Sequence, residues 1–382
     1  MKPILAKPDN CTGCSACYAV CPKNAISMNP DEEGFLHPCI DTSVCIGCGL
    51  CEKTCPLLHG GIPSRSKECY AAKARDSESQ YKSASGGVFF ELAANIIALG
   101  GCVYGCAYDK KLVAHHVKVQ SLQELAALRD SKYVQSDQRD ALREAVADLN
   151  AGRTVLYSGT SCQIAGLTAI VGCGYENLLR VELTCHGVPS PALFQKFKQE
   201  KEVEKSAELV YVSFRSKSDS WLRHRIRMRF SSGDELECPY SSDPYVKAFE
   251  HRFGNRPSCH NCQTREGFSG ADLTIGDYWG VQETHPGFFS DYGVSFAIVR
   301  TPKGLSALRE AGLELLPTTY GDILRKNPDI EKRSPLPLSA HKKFYKKVRR
   351  SSIAEAVESV SHRSFLRRAA SRLFKMIGMN RP

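Results

Sequence analysis

The chain has 382 residues, 18 cysteines and a formal net charge of +10. A chain of this length can form two or three domains with cores of their own, which excludes a small fold that depends on disulfide staples. Residues 341–382 contain twelve Lys or Arg residues and two Glu residues, so the first 340 residues are neutral overall. The basic charge therefore belongs to a tail, and we expect no nucleic-acid partner.

The sequence also predicts where the protein is found. Residues 1–10 are polar and run directly into cysteine-rich sequence, so we expect no secretory signal. The longest apolar stretch, residues 87–107, is interrupted by Glu91, Asn95 and a pair of glycines, which argues against a transmembrane helix. We therefore expect a cytoplasmic protein, in which clustered cysteines bind metals rather than form disulfides.

Residues 1–60 contain an internal repeat with the spacing C-x2-C-x2-C-x3-C-P. The two runs are Cys11, Cys14, Cys17 and Cys21 before Pro22, and Cys45, Cys48, Cys51 and Cys55 before Pro56. In a two-cluster arrangement, three thiolates of one run and the last cysteine of the other run hold each 4Fe-4S cluster. Cys55 should therefore complete the first run, and Cys21 the second. Zinc is the alternative, but its ligands are usually two separated pairs. The segment resembles a bacterial-type ferredoxin, which would pass single electrons.

Residues 61–68 predict a linker, and an ordinary globular composition begins at Cys69. The next segments predict a helix in "GGVFFELAANIIALGG", strands in "CVYGCAYD" and "LVAHHVKV", and helices in "SLQELAALRD" and "RDALREAVADLNAG". The strand "RTVLYSG", the helix "CQIAGLTAIV" and the strand "NLLRVELT" then follow, an order that favours parallel strand pairing.

Four later segments predict further strands: "ELVYVSFRS", "RIRMRFSS", "ADLTIGDYWG" and "GVSFAIVRT". We therefore predict a multidomain protein of α+β or α/β class, with a small ferredoxin-like domain and an α/β core that contains a mixed sheet. The predicted divisions are residues 1–60 for the ferredoxin-like domain, residues 69–150 and 151–320 for two core regions, and residues 321–382 for the basic tail.

Four of the ten remaining cysteines lie where a ligand site would form. Cys162 begins a helix that Thr160 or Ser161 could cap, and a helix N-terminus favours a thiolate. Cys185 follows the next strand, so both cysteines should lie near the carboxyl ends of parallel strands, where such folds bind ligands. The loop pair Cys259 and Cys262 has metal-ligand spacing. Together the four could hold a third 4Fe-4S cluster.

The remaining six cysteines have a simpler explanation, and Cys162 has a second possible role. We expect these six to be small packed residues, namely Cys39, Cys69, Cys102, Cys106, Cys173 and Cys238. A different mechanism would make Cys162 a nucleophile with His186 as its base. That thiol-enzyme hypothesis leaves the ferredoxin-like domain without a role.

A flavin site is suggested only weakly by the residues themselves. The dinucleotide fingerprint G-x-G-x-x-G is absent from the sequence. The segment "SASGG", residues 83–87, opens a helix and could bind a phosphate through backbone N–H groups, although this segment alone favours a plain helix cap. The segments "SKYVQS", residues 131–136, and "TIGDYWG", residues 274–280, are suggestive but not diagnostic.

Taken together, seven motifs resemble the family of beta subunits of coenzyme F420 hydrogenases and dehydrogenases. In chain order they are "SASGG", "GGCVYG", "SKYVQS", "GTSCQIAGL", "CHGVPSP", "CHNC" and "ADLTIGDYWG", and they span about residues 69–300. The resemblance implies a flavoprotein core that holds FAD and a 4Fe-4S cluster, with Cys162, Cys185, Cys259 and Cys262 as the cluster ligands. The implied flavin neighbours are Ser85, Gly86, Gly87, Lys132, Tyr133, Gln135, Gly159, Thr160 and Asp277. The family usually has proline at the position of Ser161, a departure from which we expect a small effect on the cluster.

The resemblance implies an oxidoreductase that receives electrons from a reduced donor protein or reductase subunit. Its clusters would relay single electrons to FAD and then to a small organic acceptor, either coenzyme F420 or another compound, such as one used in polysaccharide biosynthesis. The direction of electron flow could also be reversed. The alternative hypothesis is an electron-transfer adaptor that docks a partner enzyme and performs no chemistry.

The basic tail predicts an amphipathic helix in "SFLRRAASRLFKMI". Its apolar stripe would consist of Phe365, Leu366, Ala369, Ala370, Leu373, Phe374 and Ile377. Such a helix could lie on the anionic inner face of the membrane or against a partner, or it could pack on its own domain.

Overall fold

The computed structural model describes residues 3–63, 68–331 and 338–361. The strands are β1 (Ile26–Pro30), β2 (Leu36–Ile40), β3 (Glu68–Ala74), β4 (Cys102–Tyr108), β5 (Ala114–Val119), β6 (Val155–Thr160), β7 (Leu178–Leu183), β8 (Leu209–Ser216), β9 (Arg225–Phe230), β10 (Glu235–Pro239), β11 (Leu273–Asp277), β12 (Ser295–Val299) and β13 (Leu313–Thr318).

The helices fall into the ferredoxin-like segment, the core and the C-terminal part. They are α1 (Ala16–Ala19), α2 (Leu50–Lys53), α3 (Pro56–His59), α4 (Ser77–Lys82), α5 (Val88–Ala98), α6 (Leu122–Leu125), α7 (Arg139–Asn150), α8 (Ser161–Val171), α9 (Pro191–Lys205), α10 (Pro244–Glu250), α11 (Val281–Thr284), α12 (Pro302–Glu310), α13 (Tyr320–Lys326) and α14 (Leu338–Val348). Residues 353–361 are also helical. None of the helices in the described ranges is long and apolar enough to cross a membrane.

The two cysteine runs of the N-terminal segment share a backbone conformation as well as a sequence pattern. Strands β1 and β2 pair antiparallel, with Ile26 opposite Ile40. Helix α1 follows Ser15, which has a left-handed φ of 60°, and helix α2 follows Gly49, which has a φ of 72°. Both residues stand just after the second cysteine of their run. The tight cysteine loops therefore adopt the same turn twice, and glycine tolerates it better than serine does.

The core is built on an eight-stranded sheet with the order β13-β3-β12-β11-β7-β6-β4-β5. The central strands β4, β6, β7 and β11 are parallel, and β5, β12, β3 and β13 pair antiparallel at the two sides. The predicted mixed sheet and the strand–helix–strand unit of β6, α8 and β7 are confirmed. Helix α8 therefore starts at the edge of the sheet where the parallel strands end.

Strands β8 and β9 do not join this sheet. With β10 they form a separate antiparallel sheet in the order β10-β9-β8. In β9 the side chains of Ile226, Met228 and Phe230 are buried and alternate with arginines that point to solvent. This period-two pattern is typical of a sheet with one face covered, whereas strand β12 of the main sheet is buried throughout.

The buried face of the three-stranded sheet shares a core with the C-terminal helices. Phe214 and Met228 belong to the same cluster of buried side chains as Phe344 of α14 and Val357 of the helix over residues 353–361. Residues 338–361 are thus packed within the globular core. The predicted amphipathic stripe, residues 365–377, lies outside the described residues.

Candidate redox site

The N-terminal cysteines form two groups of four. The first quartet lines one small cavity and consists of Cys11, Cys14, Cys17 and Cys55. The second quartet lines another and consists of Cys21, Cys45, Cys48 and Cys51. Each group takes three cysteines from one run and the last from the other, which is the grouping expected from the sequence.

The first quartet is an electrostatically unfavourable place for bare thiolates. Burial, together with the neighbouring Cys11 and Cys55, raises the pKa of Cys14 to about 11. Burial opposes the ionisation of Cys11 as well, but a hydrogen bond with His37 and the charge of Arg256 bring the pKa of that thiol below its ordinary value. When these four thiols ionise, the negative thiolates repel one another. A positively charged metal centre would offset this repulsion, and it deprotonates its thiol ligands.

A third group of cysteines, the core quartet, assembles at the carboxyl edge of the parallel strands. Cys162 interacts with Cys262, Cys185 and Cys259, and Cys259 interacts with Cys185 and Cys262. Cys162 lies in the first turn of α8, and Cys185 lies just beyond β7. The Cys259 loop is held against the Cys185 turn, because the N–H of Arg256 donates to the carbonyl of Val188 at 2.9 Å.

Two thiols of the core quartet hold their protons more tightly than the sequence predicts. Burial raises the pKa of Cys162 well above its ordinary value, and Cys262 and Cys185 raise it further. Burial likewise raises the pKa of Cys259 to about 12. The predicted thiolate-favouring effect of the helix N-terminus is therefore outweighed. This argues against Cys162 as a free nucleophile, which needs a lowered pKa.

Polar groups already lie next to the core sulfur atoms. The N–H of Gly187 donates to Cys185 Sγ at 3.3 Å, and the Thr160 hydroxyl lies 3.3 Å from Cys162 Sγ. Thr160 is the N-cap residue of α8, and the Ser161 hydroxyl instead lies 4.0 Å from Cys262 Sγ. The residue that departs from the family pattern thus faces the core quartet.

A zinc site requires its four sulfur atoms to lie closer together than a 4Fe-4S cluster does. Across the described ranges, no three His, Cys, Asp or Glu side chains converge closely enough to hold a single metal ion. Zn–S bonds of about 2.3 Å would bring four sulfur atoms to within about 4 Å of one another. A 4Fe-4S cluster contributes iron and sulfide atoms of its own and therefore needs the wider spacing.

The ferredoxin-like segment is docked directly on the core. A Cβ atom on Gly166 of α8 would lie 3.0 Å from the Cβ and 3.2 Å from the Sγ of Cys14. Gly166 follows Cys162 by one turn of the helix, a rise of about 6 Å. Helix α8 therefore contacts the first quartet and the core quartet within one turn, and a Cβ at Gly166 would require Cys14 to shift by a few tenths of an ångström.

Arg256 fixes this docking from the core side. It is 1% exposed, and its Nε donates to the carbonyl of Cys11 at 2.7 Å while its Nη2 donates to the carbonyl of Leu36 at 2.9 Å. Its Nη1 donates to Gln135 Oε1, and the Gln135 amide donates to the carbonyl of Thr12 at 3.0 Å. Two buried side chains thus bind the backbone of the first cysteine loop, and neither was identified as a docking residue from the sequence.

A cavity of about 330 Å³ lies beside the core quartet. Cys162 and Cys185 both line it. So do eight of the nine predicted flavin neighbours, namely Ser85, Gly87, Lys132, Tyr133, Gln135, Gly159, Thr160 and Asp277. Residues that are far apart in sequence are therefore brought to one cavity that touches two of the core cysteines.

Gly86 and Lys132 are two predicted flavin neighbours whose own contacts with the protein explain their presence. Gly86 donates its N–H to Ser295 Oγ at 3.0 Å, and a Cβ there would come within 2.5 Å of the carbonyl oxygen of Ala72. Gly86 is thus required by close packing against β3. Lys132 donates through Nζ to the carbonyls of Ala127 and Arg129, so its ammonium group is already engaged.

The three-stranded sheet and the segments around it supply a wall of the cavity that sequence reasoning missed. Arg215 of β8 donates to Asp277 Oδ1 at 2.7 Å and to Oδ2 at 2.9 Å. Trp221 donates to Asp277 Oδ1 at 2.9 Å and stacks on Trp279 at 4.8 Å. His224 also lines the wall, and burial together with the charge of Arg215 lowers its pKa to about 4. A neutral imidazole therefore faces the cavity at ordinary pH.

Several buried polar atoms of the cavity wall lack protein partners. Within the described part of the chain, Thr184 Oγ1, Arg215 Nε and His224 Nε2 are buried and form no hydrogen bond. All three residues line the cavity. Buried polar atoms are normally satisfied, so their orphaned state fits a polar ligand that supplies the missing partners. The aromatic side chains of Tyr133 and Trp279 add flat apolar surface suited to a ring system.

The six cysteines that we expected to be packed divide into two kinds. Cys69 and Cys102 are buried as predicted, and Cys106 and Cys238 are partly buried. For Cys39 and Cys173 the prediction was wrong, because both are exposed. Cys39 lies on β2, at the surface of the small domain, and Cys173 follows the end of α8, where no core is available to cover it. Cys106 lines the cavity beside the core quartet.

Two family models match the chain. The model described as a 4Fe-4S dicluster domain matches residues 10–57. The model described as the C terminus of the beta subunit of coenzyme F420 hydrogenase/dehydrogenase matches residues 152–315. The second range contains all four cysteines of the core quartet, and the first contains all eight of the ferredoxin-like segment.

Curated relatives are also similar to parts of the chain. The F subunit of F(420)H(2) dehydrogenase from Methanosarcina mazei is 27% identical over 167 residues, which are 41% of this chain and 46% of that protein. The methylamine utilization ferredoxin-type protein MauM of Methylobacillus flagellatus is 46% identical over 54 residues, which are 13% of this chain and 23% of that protein. The chain thus spans less than half the length of these relatives.

The fold also matches a solved structure. A chain of the F420-reducing NiFe hydrogenase complex from Methanosarcina barkeri, in a xenon-derivatised form, superimposes with a TM-score of 0.50 at 18% identity and covers 74% of this chain and 93% of its own length. The family resemblance drawn from the seven motifs is confirmed. The chain carries at residues 152–315 a domain of the beta-subunit family of coenzyme F420 hydrogenases and dehydrogenases, a family of oxidoreductases, and a 4Fe-4S dicluster domain precedes it.

Proposed function

We propose that this protein is an iron–sulfur flavoprotein oxidoreductase that carries electrons between a redox partner protein and a small organic acceptor. The observation that supports it most is the shared cavity, because the flavin candidates and the thiols of Cys162 and Cys185 line the same space. Bound 4Fe-4S clusters exchange single electrons and bound FAD exchanges one or two, which protein side chains alone do not do.

The chain's own residues would define the order of the electron route. The second quartet lies at the surface, with Cys48 exposed. The first quartet contacts α8 through Cys14 and Gly166, and the same helix begins beside Cys162. Electron transfer slows steeply with distance, so this order of close contacts favours a route from the second quartet to the first, then to the core quartet and the cavity.

In the cavity the protein would position the flavin and keep water away from it. The orphaned atoms Thr184 Oγ1, Arg215 Nε and His224 Nε2 would satisfy polar edges of the ring or the bound acceptor. The Arg215–Asp277 ion pair fixes the wall, since Trp221 and Tyr133 also bond to it. Coenzyme F420 is one acceptor that the family name supports, and a sugar-nucleotide substrate of polysaccharide biosynthesis is another.

The close contact at Gly166 gives a first prediction. Gly166→Val should slow reduction of the flavin by electrons that enter through the ferredoxin-like segment, because the larger side chain pushes Cys14 away from α8. Overpacking of this kind should also lower the free energy of unfolding by about 1–3 kcal/mol. Stopped-flow absorbance at flavin wavelengths measures the rate. Gly174→Val is the matched control, since no atom lies within 4 Å of a Cβ there, and equal rates in both variants would contradict the proposed route.

The alternative is an electron-transfer adaptor that carries clusters but reduces no substrate. A stopped-flow experiment separates the two functions. The protein is reduced anaerobically and mixed with coenzyme F420, nicotinamides or sugar nucleotides, and reoxidation of the flavin is followed. We expect one of these acceptors to reoxidise it at a rate that depends on acceptor concentration. Reoxidation by none of them, with reoxidation by a partner protein alone, would favour the adaptor.

A further inference from the structure

We propose that the surface around the second quartet is the docking site of a small one-electron carrier protein with an acidic surface. This port consists of the apolar residues Ile4, Val44, Ile46 and Leu50 and the lysines Lys23 and Lys53. The inference rests on the proposed function, since it takes the second quartet to hold a cluster. It adds the place where electrons enter or leave and the chemistry of the partner.

The port contains several exposed apolar side chains close together, which is unusual for a surface that faces only water. Ile4 is 68% exposed, Ile46 60%, Val44 44% and Leu50 42%. Ile46 and Leu50 also line the cavity of the second quartet, together with Pro3. Ile4 is held beside them because its N–H donates to Glu52 of α2 at 3.2 Å. Exposed apolar side chains that lie together mark interaction sites, whereas isolated ones are common on any surface.

The position of the port in the molecule identifies what kind of partner it fits. The first quartet is enclosed by the core, through Cys14 against Gly166 and through Arg256 on the Cys11 carbonyl. The second quartet has no such cover at Cys48, which is exposed. A protein seated on Ile46 and Leu50 would therefore contact side chains that themselves line the quartet. This is the place from which a one-electron carrier could exchange electrons over the shortest distance.

The charges at the border of the port favour an acidic carrier. Lys23 is exposed and lines the quartet cavity, and Lys53 is exposed at the end of α2, one turn after Leu50. The nearby carboxylates are bound to donors of the chain itself. Asp41 accepts from the N–H of Ser43 at 2.9 Å and from its hydroxyl at 2.6 Å, and Glu52 accepts from Ile4. These hydrogen bonds do not neutralise the carboxylates, but Lys23 is the only charged residue among the described residues that line the quartet cavity, so the charge nearest to the second quartet is positive.

A charge-reversal experiment on the full-length protein, purified anaerobically with its clusters, tests the port. The variant is Lys23→Glu with Lys53→Glu, and the probe is a reduced acidic bacterial-type ferredoxin. We expect the second-order rate of electron transfer from this ferredoxin to fall about tenfold or more at low salt and the Kd of the complex to rise, because electrostatic steering is lost. The matched control is Lys110→Glu with Lys111→Glu, which reverses two exposed charges on the turn between β4 and β5.

Dithionite provides the reference that separates this inference from the proposed function. It should reduce the wild type and both variants at equal rates, and all three should contain the same amount of iron. Ile46→Ser should weaken ferredoxin binding without changing its dependence on salt. The port is contradicted if reduced ferredoxin transfers electrons equally fast to the port variant and the control, or if wild-type protein that dithionite reduces accepts none from ferredoxin. Wild-type protein that lacks iron or resists dithionite would instead contradict the proposed function.

Discussion

Replacing Cys162 with alanine is expected to remove about four of about twelve iron atoms per chain. The thiol stands at the start of α8 and interacts with Cys262 and Cys185. Alanine offers no atom that can bind iron, so the three remaining cysteines would leave one corner of a cluster unligated. Iron and sulfide analysis of anaerobically purified protein measures the loss.

The control for this variant is Cys39→Ala. Cys39 is exposed on β2 and belongs to none of the three quartets. It should keep all of its iron, and both proteins should keep the electron paramagnetic resonance signals of the ferredoxin-like segment. If Cys162→Ala retains as much iron as Cys39→Ala, the core quartet does not hold a cluster.

Asp277→Asn is expected to lower the free energy of unfolding by about 3 kcal/mol and to reduce the FAD content. Arg215 is almost fully buried and forms two hydrogen bonds to this carboxylate. Burial opposes the charge on Asp277, but Arg215 holds the pKa of the carboxyl below its ordinary value. The variant would leave the guanidinium charge buried and unpaired, and an NH2 donor would replace one of the two oxygens that accept from Arg215. Thermal unfolding and flavin absorbance of the purified protein measure the two effects.

An exposed ion pair of similar geometry provides the comparison. Arg227 donates to Glu235 at 2.6 Å, but both side chains are about half exposed. Glu235→Gln should therefore change the free energy of unfolding by less than about 1 kcal/mol and leave the FAD content unchanged. Equal flavin content in Asp277→Asn and Glu235→Gln would show that the wall around Asp277 does not hold the flavin.

The cysteine groups could be predicted from the sequence because their geometry is local. In the ferredoxin-like segment, two short loops of fixed spacing determine which thiols can meet, and the structure brings together the expected quartets. In the core, Cys162 and Cys185 follow neighbouring parallel strands, so the sheet places them at the same edge. Their role as ligands is what the iron analysis tests.

The cavity wall could not be predicted because it depends on long-range packing. Arg215 and His224 lie in a segment that alternates apolar and charged residues, which identifies a half-exposed sheet but not the surface that it covers. Arg256 resembles any other loop arginine in sequence, and only the docked structure shows its Nε at 2.7 Å from the carbonyl of Cys11. The charge of the C-terminal residues predicts a basic tail over residues 321–382, yet apolar side chains of residues 338–361 pack in the same core as Phe214.

One chain is expected to carry two ferredoxin-type clusters, a core cluster and a flavin, in contact through α8 and the shared cavity. The most direct measurement is the iron and flavin content of the protein purified without oxygen. We expect about twelve iron atoms, four for each cluster, and one FAD per chain. Eight iron atoms and no flavin would contradict it, because the core quartet and the cavity would then hold neither group.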